Sequence, residues 1–176
     1  MFNEKIRVSL MGLSFLFLLL VSSVSNTLFL NSLGVLYQNQ ILLFSMIFMN
    51  NVIVISLIIL GMTFYVNLVT LGFFKNEKYP NVIIDNPRIF ALIFLFIVLF
   101  FGVLRGVNHF FGTIAIELLP IIFLLNTPIG IVEGYGVFLA IEKILHRKLT
   151  LRNLIYIFVI FSIAALIEVC MITIID

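Results

Sequence analysis

The chain has 176 residues, of which 63% are hydrophobic and 10% charged, and its net charge is +2. A soluble domain carries about 25% charged residues, yet from Val8 to Phe74 this chain has no Asp, Glu, Lys, Arg or His. That excludes a water-exposed domain and points to an all-α, polytopic integral membrane helical bundle forming one domain over residues 1–176.

Met1 to Arg7, followed by an apolar run, has the layout of a signal peptide, and Val21-Ser22-Ser23 offers small residues for cleavage. The apolar character continues through Leu30, long enough at 1.5 Å per residue to cross about 30 Å of hydrocarbon. An uncleaved signal-anchor span over about 8–30 is therefore expected. Residues 31–51 carry no charge and end in Asn50-Asn51, a place for a chain reversal and a helix N-cap. Ile41 to Met49 is too short to span and is expected to lie in the interface or dip in and return, which puts the second span at about 52–74. Lys75 to Arg88 forms the longest aqueous loop, and Asn86 as N-cap with Pro87 at the first helical position starts a third span, about 88–108. A fourth apolar region, about 110–145, is expected to be broken at 126–130, where Asn126, Pro128 and Gly130 interrupt it. Thr150 caps the last span, about 151–175, in which Glu168 is the only Asp, Glu, Lys, Arg or His after Arg152.

Lys and Arg favour the cytoplasmic side. Lys5, Arg7, Lys75, Lys78, Arg88, Lys143, Arg147, Lys148 and Arg152, nine of the ten basic residues, obey one topology, with Arg105 the exception. It places the N-terminus in the cytoplasm and Asp176 outside, a multi-pass cell-membrane protein of about five spans. Between Arg88 and Lys143 the chain must cross an even number of times although it holds three apolar pieces, so the middle one is expected to be short, re-entrant or tilted. Broken helices at membrane depth survive where protein or water satisfies the freed backbone groups, and they recur at transporter binding sites.

Gly102, Arg105, Gly106 and His109 fall at i, i+3, i+4 and i+7 on one helical stripe, which Thr113 and Glu117 extend. Gly102 with Gly106, and Gly130 with Gly134, form Gly-x-x-x-Gly pairs that admit a close neighbouring helix. Ionisable groups at bilayer depth cost about 2.5–3.5 kcal/mol each on insertion scales and usually face a protein interior or a wet cavity. Arg105, His109, Glu117, Glu133 and Glu168 are accordingly the candidates for an intramembrane polar site. The plainer alternatives are a headgroup-snorkelling Arg105 and a hydrogen-bonded packing role for His109. Cys170 is the only cysteine, which excludes an intramolecular disulfide and a cysteine-ligated zinc site. His109 has no second histidine at ligand spacing, so neither a metal nor another cofactor is expected. The basic residues cluster beside apolar runs without interleaved aromatics, so no nucleic-acid partner is expected either. With no nucleophile arrangement and no phosphate-binding glycine loop, the chain is expected not to be an enzyme. An intramembrane hydrolase using His109 and a carboxylate stays open as a minor alternative.

Asn50-Asn51, Asn108 with Gly112, the run Pro128-Ile129-Gly130-Ile131-Val132-Glu133 followed by Gly134 to Ala140, and the final span ending Ile167-Glu168 together resemble the stage II sporulation protein M family. That family carries a Pro-His-Gly-x-x-Glu segment, matched here at Pro128, Gly130 and Glu133, with Ile129 in place of the histidine. The resemblance covers most of the chain from about residue 45. It implies a membrane protein without established catalysis, resembling a scaffold for cell-wall hydrolases or relatives found with ATP-binding-cassette (ABC) transporters and circular-bacteriocin clusters. The expected partners are therefore the lipid bilayer and other membrane proteins, including an ABC transporter or a hydrophobic peptide, in a homo- or hetero-oligomer. The expected function is accessory to peptide maturation, export or immunity. The alternatives are an ion- or proton-coupled carrier or channel using the broken helix at 126–133, and a sporulation engulfment scaffold.

Overall fold

A computed structural model describes residues 4–36, 39–72, 80–97 and 119–175, which form helices and, among the described residues, no strand. The helices are α1 (Glu4–Leu36), α2 (Gln40–Thr70), the short α3 (Pro80–Asp85), α4 (Pro87–Ile97), α5 (Leu119–Leu145) and α6 (Leu151–Ile175). Among the described residues, three stretches are long and apolar enough to cross a membrane: Ile6–Ser25 in α1, Gln40–Thr70, which is all of α2, and Leu151–Thr173 in α6. The described part of the chain is thus all-helical, and its three apolar helices mark a membrane protein.

Local sequence sets most of the helix ends. Asn39 begins α2 from an extended conformation, and its side-chain oxygen accepts from the amides of Ile41 and Leu42 at 3.1 and 3.2 Å. Gly72, with φ of 69°, turns the chain after α2, and its amide bonds the Val69 carbonyl at 3.0 Å. Asn86 precedes α4 as anticipated, with Pro87 in its first turn and the Phe90 amide on the Asn86 carbonyl at 3.1 Å. Thr150 caps α6 as anticipated, its hydroxyl accepting from the Asn153 amide at 3.3 Å.

The end of α5 departs from the usual pattern. Arg147 has φ of 54°, in the left-handed region where glycine normally sits. Its amide bonds the Ile144 carbonyl and the Lys148 amide bonds the Lys143 carbonyl, each at 2.8 Å. Those two bonds are the pair that closes a Schellman turn.

α2 is the central helix, packed against α1, α5 and α6. Leu43 and Ile47 near its start cluster with Ala165 and Val169 near the end of α6, so the two helices run antiparallel. A larger cluster joins Ile55 and Val66 of α2, Ala91 of α4, Val137, Ala140, Ile141, Ile144 and Leu145 of α5, and Ile157 and Phe161 of α6. On α6 the buried residues Ile157, Ile160, Phe161, Ala164 and Ala165 face inward, while Ile155, Val159, Ile163 and Leu166 form an exposed stripe. In a bilayer an outward apolar stripe meets lipid tails rather than water, so close packing rather than hydrophobic burial holds such helices together.

Glycines supply that closeness. A Cβ built on Gly61 of α2 would stand 2.9 Å from Cε2 of Phe15 on α1, and one on Gly12 of α1 would stand 3.3 Å from the Phe64 ring on α2. Each helix therefore seats the other's phenylalanine on a bare backbone.

Two expectations are corrected. Asn50-Asn51 does not begin the second span: α2 runs unbroken from Gln40, and Asn50 lies buried inside it. Nor is there a break at Asn126, Pro128 and Gly130, because α5 continues through Pro128. The physical reason is the same for both. Ending a helix at membrane depth orphans several amides and carbonyls at several kcal/mol each. An internal asparagine costs well under 1 kcal/mol relative to alanine. An internal proline costs about 3 kcal/mol, mainly one lost hydrogen bond and a steric clash. Continuity is the cheaper solution at either position.

Candidate intramembrane polar site

Of the five ionisable residues expected to form the polar site, the structure describes two. Glu133 lies half-buried on α5 and Glu168 half-buried on α6, and each engages in polar or electrostatic contact. Arg105, His109 and Glu117, together with the glycines Gly102 and Gly106, lie outside the described residues. Gly134, the third glycine expected to serve packing, is buried on α5.

The helix register brings the two carboxylates to neighbouring depths. α5 and α6 form an antiparallel hairpin in which Gly136 lies against Ile160 and Phe161. Glu133 is three residues from Gly136, and Glu168 is seven beyond Phe161. At 1.5 Å per residue they differ in depth by about one helical turn. α2 adds two amides close to the same level. Asn50 follows Ile47 by three residues on the helix that meets Ala165 and Val169, which sets it within about two turns of both carboxylates.

Asn50 is only 7% exposed, on the same stripe as the buried Leu43 and Ile47. The amide nitrogen of its neighbour Asn51 is buried with no hydrogen-bond partner among the described residues. A buried amide left unsatisfied costs about 1–3 kcal/mol, so this is an unusual residue for an apolar helix. Sequence reasoning assigned Asn50 and Asn51 to a turn and so missed them as intramembrane polar residues. The available signal was their place inside a charge-free run long enough to form one continuous span.

A second polar group gathers at one end of the bundle. Arg88, at the start of α4, donates through Nε to Glu142 Oε1 at 3.1 Å, and Lys143 Nζ lies 3.7 Å from the other Glu142 oxygen. The Arg88 side chain is 78% exposed and that of Glu142 only 12%. The carboxylate is thus largely covered by the bundle, while the guanidinium meets it from the exposed side. Arg147, beyond the end of α5, donates through Nη2 to the Thr70 hydroxyl at the end of α2. Arg7 lies near the start of α1, beside the end of α2. Basic residues remote in sequence therefore converge where α1, α4 and α6 begin and α2 and α5 end. Sequence parity had put these residues on one side, but nothing in it paired Arg88 with Glu142 or Arg147 with Thr70.

Chemically, two carboxylates and two primary amides at neighbouring levels of the bundle are each suited to hydrogen-bonding a neighbouring helix, and a carboxylate to holding a proton or cation. Among the described residues, no three His, Cys, Asp or Glu side chains gather as a metal site. No protein-family model, curated protein or solved structure matches the chain.

Proposed function

We propose that this protein is a non-enzymatic, multi-pass subunit of the cell membrane that works by assembling with other membrane components. The observation that carries this reading is how its described surface divides. Large apolar side chains such as Leu13, Leu16, Phe17 and Leu20 on α1, and Ile155, Val159 and Ile163 on α6, face outward. The helices meet one another at Gly12, Gly61 and Gly136. Small-residue contacts inside and a broad apolar exterior are the properties of a protein built to pack among lipids and other helices.

In the topology we favour, the chain crosses five times, with the N-terminus cytoplasmic and the C-terminus outside. α1, α2, α4, α5 and α6 alternate in direction, and their basic ends gather on the inner face, as the positive-inside rule requires. α5 has 27 residues, about 40 Å of helix, enough for a crossing of its own. The more specific role, accessory to peptide maturation, export or immunity in the manner of the stage II sporulation protein M family, rests on the sequence resemblance alone. Extraction into native lipid particles tests the assembly reading. A stable association with a second membrane protein, a hydrophobic peptide or further copies of the chain supports it, whereas a monodisperse single chain contradicts it. The neighbouring genes separate the cargo readings: a transporter ATPase beside a small peptide precursor favours export, and cell-wall hydrolases favour an engulfment scaffold.

A second reading, an ion- or proton-coupled carrier or channel, is favoured by the depth shared by Asn50, Asn51, Glu133 and Glu168. Here Glu133 exchanges the proton or cation and the asparagines line its path. Glu133→Gln would then abolish flux in liposomes at unchanged expression, and equal flux in the variant and the parent would contradict it.

A further inference from the structure

A cleft opens between the start of α1 and the end of α2, lined by Arg7, Val8, Met11, Asn67, Thr70 and Leu71. Arg7, Asn67 and Thr70 are its polar lining residues, and Val8, Met11 and Leu71 its apolar ones. Thr70 donates to the Val66 carbonyl at 2.7 Å and accepts from Arg147, so a second guanidinium is held at the rim by a hydrogen bond across the bundle. Asn67 donates to the Thr63 carbonyl at 2.8 Å and reaches the Met11 sulfur at 3.5 Å, which fixes the floor. The ion pairs of Arg88 and Lys143 are made to Glu142, and among the described residues neither includes Arg7 or Arg147.

We infer that this cleft binds the phosphodiester headgroup of an anionic glycerophospholipid in the cytoplasmic leaflet. This rests on the membrane topology proposed above, which sets the basic end of the bundle at the headgroup level. Two guanidinium groups with no paired carboxylate among the described residues offer forked donors to the phosphate oxygens. The wall formed by Val8, Met11 and Leu71 suits the glycerol and the first acyl carbons. Zwitterionic lipids carry the same phosphate, but their own cation would sit beside two like charges. Basic pockets between membrane helices on the cytoplasmic side recognise anionic headgroups by this chemistry.

The test counts lipids retained by the full-length protein in native mass spectrometry after exchange against equimolar phosphatidylglycerol and phosphatidylcholine. Phosphatidylglycerol should be retained preferentially. Arg7→Gln and Arg147→Asn, the latter chosen because asparagine tolerates the left-handed backbone, should each weaken retention about fivefold. Arg152→Gln, which removes the same charge at the start of α6, should leave retention unchanged. Equal retention of the two lipids overturns the inference, as does an equal loss in Arg152→Gln. Displacement of the lipid by millimolar inorganic phosphate overturns the lipid assignment in favour of a free anion. A carbonate wash of membranes separates the two levels of failure. Protein that stays in the membrane but shows no lipid preference removes only the site, and protein released by the wash removes the membrane topology beneath it.

Discussion

The ring of Phe161 on α6 rests against the backbone of Gly136 on α5, where a Cβ built on the glycine would stand 2.8 Å from the ring's Cε2. Real side chains essentially never approach that closely, so this contact sets how near the two helices lie and fixes their register. Gly136→Leu is expected to lower the melting temperature in detergent, by the equivalent of about 1–3 kcal/mol, because overpacking forces the helices apart. Gly136→Ala combined with Phe161→Leu should recover much of the loss seen in Gly136→Ala alone. Additive losses in the double variant would mean that the two residues do not meet.

Asn51 yields a prediction of opposite sign. Its buried nitrogen has no hydrogen-bond partner among the described residues, so Asn51→Leu removes an unsatisfied group and should raise the melting temperature or leave it unchanged. A large destabilisation would show that the amide is satisfied in the assembled protein. If function is lost while stability holds, Asn51 belongs to the working site.

Much of the fold was legible in the sequence because membrane helices are written in simple terms: charge-free runs, basic ends, and caps such as Asn86-Pro87 and Thr150. What misled were the local breakers. Asn50-Asn51 and Asn126 to Gly130 carry turn-like residues, and in water they would end a helix. At bilayer depth the cost of orphaned backbone groups outweighs those preferences, and α2 and α5 continue through them. The seats at Gly12, Gly61 and Gly136 were also missed, because they lie outside the Gly-x-x-x-Gly spacing and make sense only with a facing phenylalanine. Of the candidate site, Glu133 and Glu168 were legible as carboxylates inside apolar stretches. Their relation to Asn50 depends on the pairing of α2 with α6, which nothing local encodes.

The Arg88 and Glu142 pair should contribute little to stability. With Arg88 largely exposed, Arg88→Ala is expected to cost no more than about 1 kcal/mol, with a dependence on salt. Glu142→Ala should cost somewhat more, since Lys143 also leans on that carboxylate. Melting of the two variants at low and high ionic strength checks both the size and the order.

Arg147 separates backbone strain from side-chain bonding. Both Arg147→Ala and Arg147→Gly lose the bond to Thr70, but glycine relieves the left-handed backbone that alanine keeps. The glycine variant should therefore be the more stable by about 1 kcal/mol. Equal melting temperatures would argue against the left-handed turn.

The central claim is a membrane bundle whose basic end faces the cytoplasm, and topology reporters test it most directly. Reporters inserted at residues 38, 76 and 148 and fused after Asp176 should read outside, inside, inside and outside in turn. A cytoplasmic signal after Asp176, or signals from residues 38 and 76 on the same side, would contradict it.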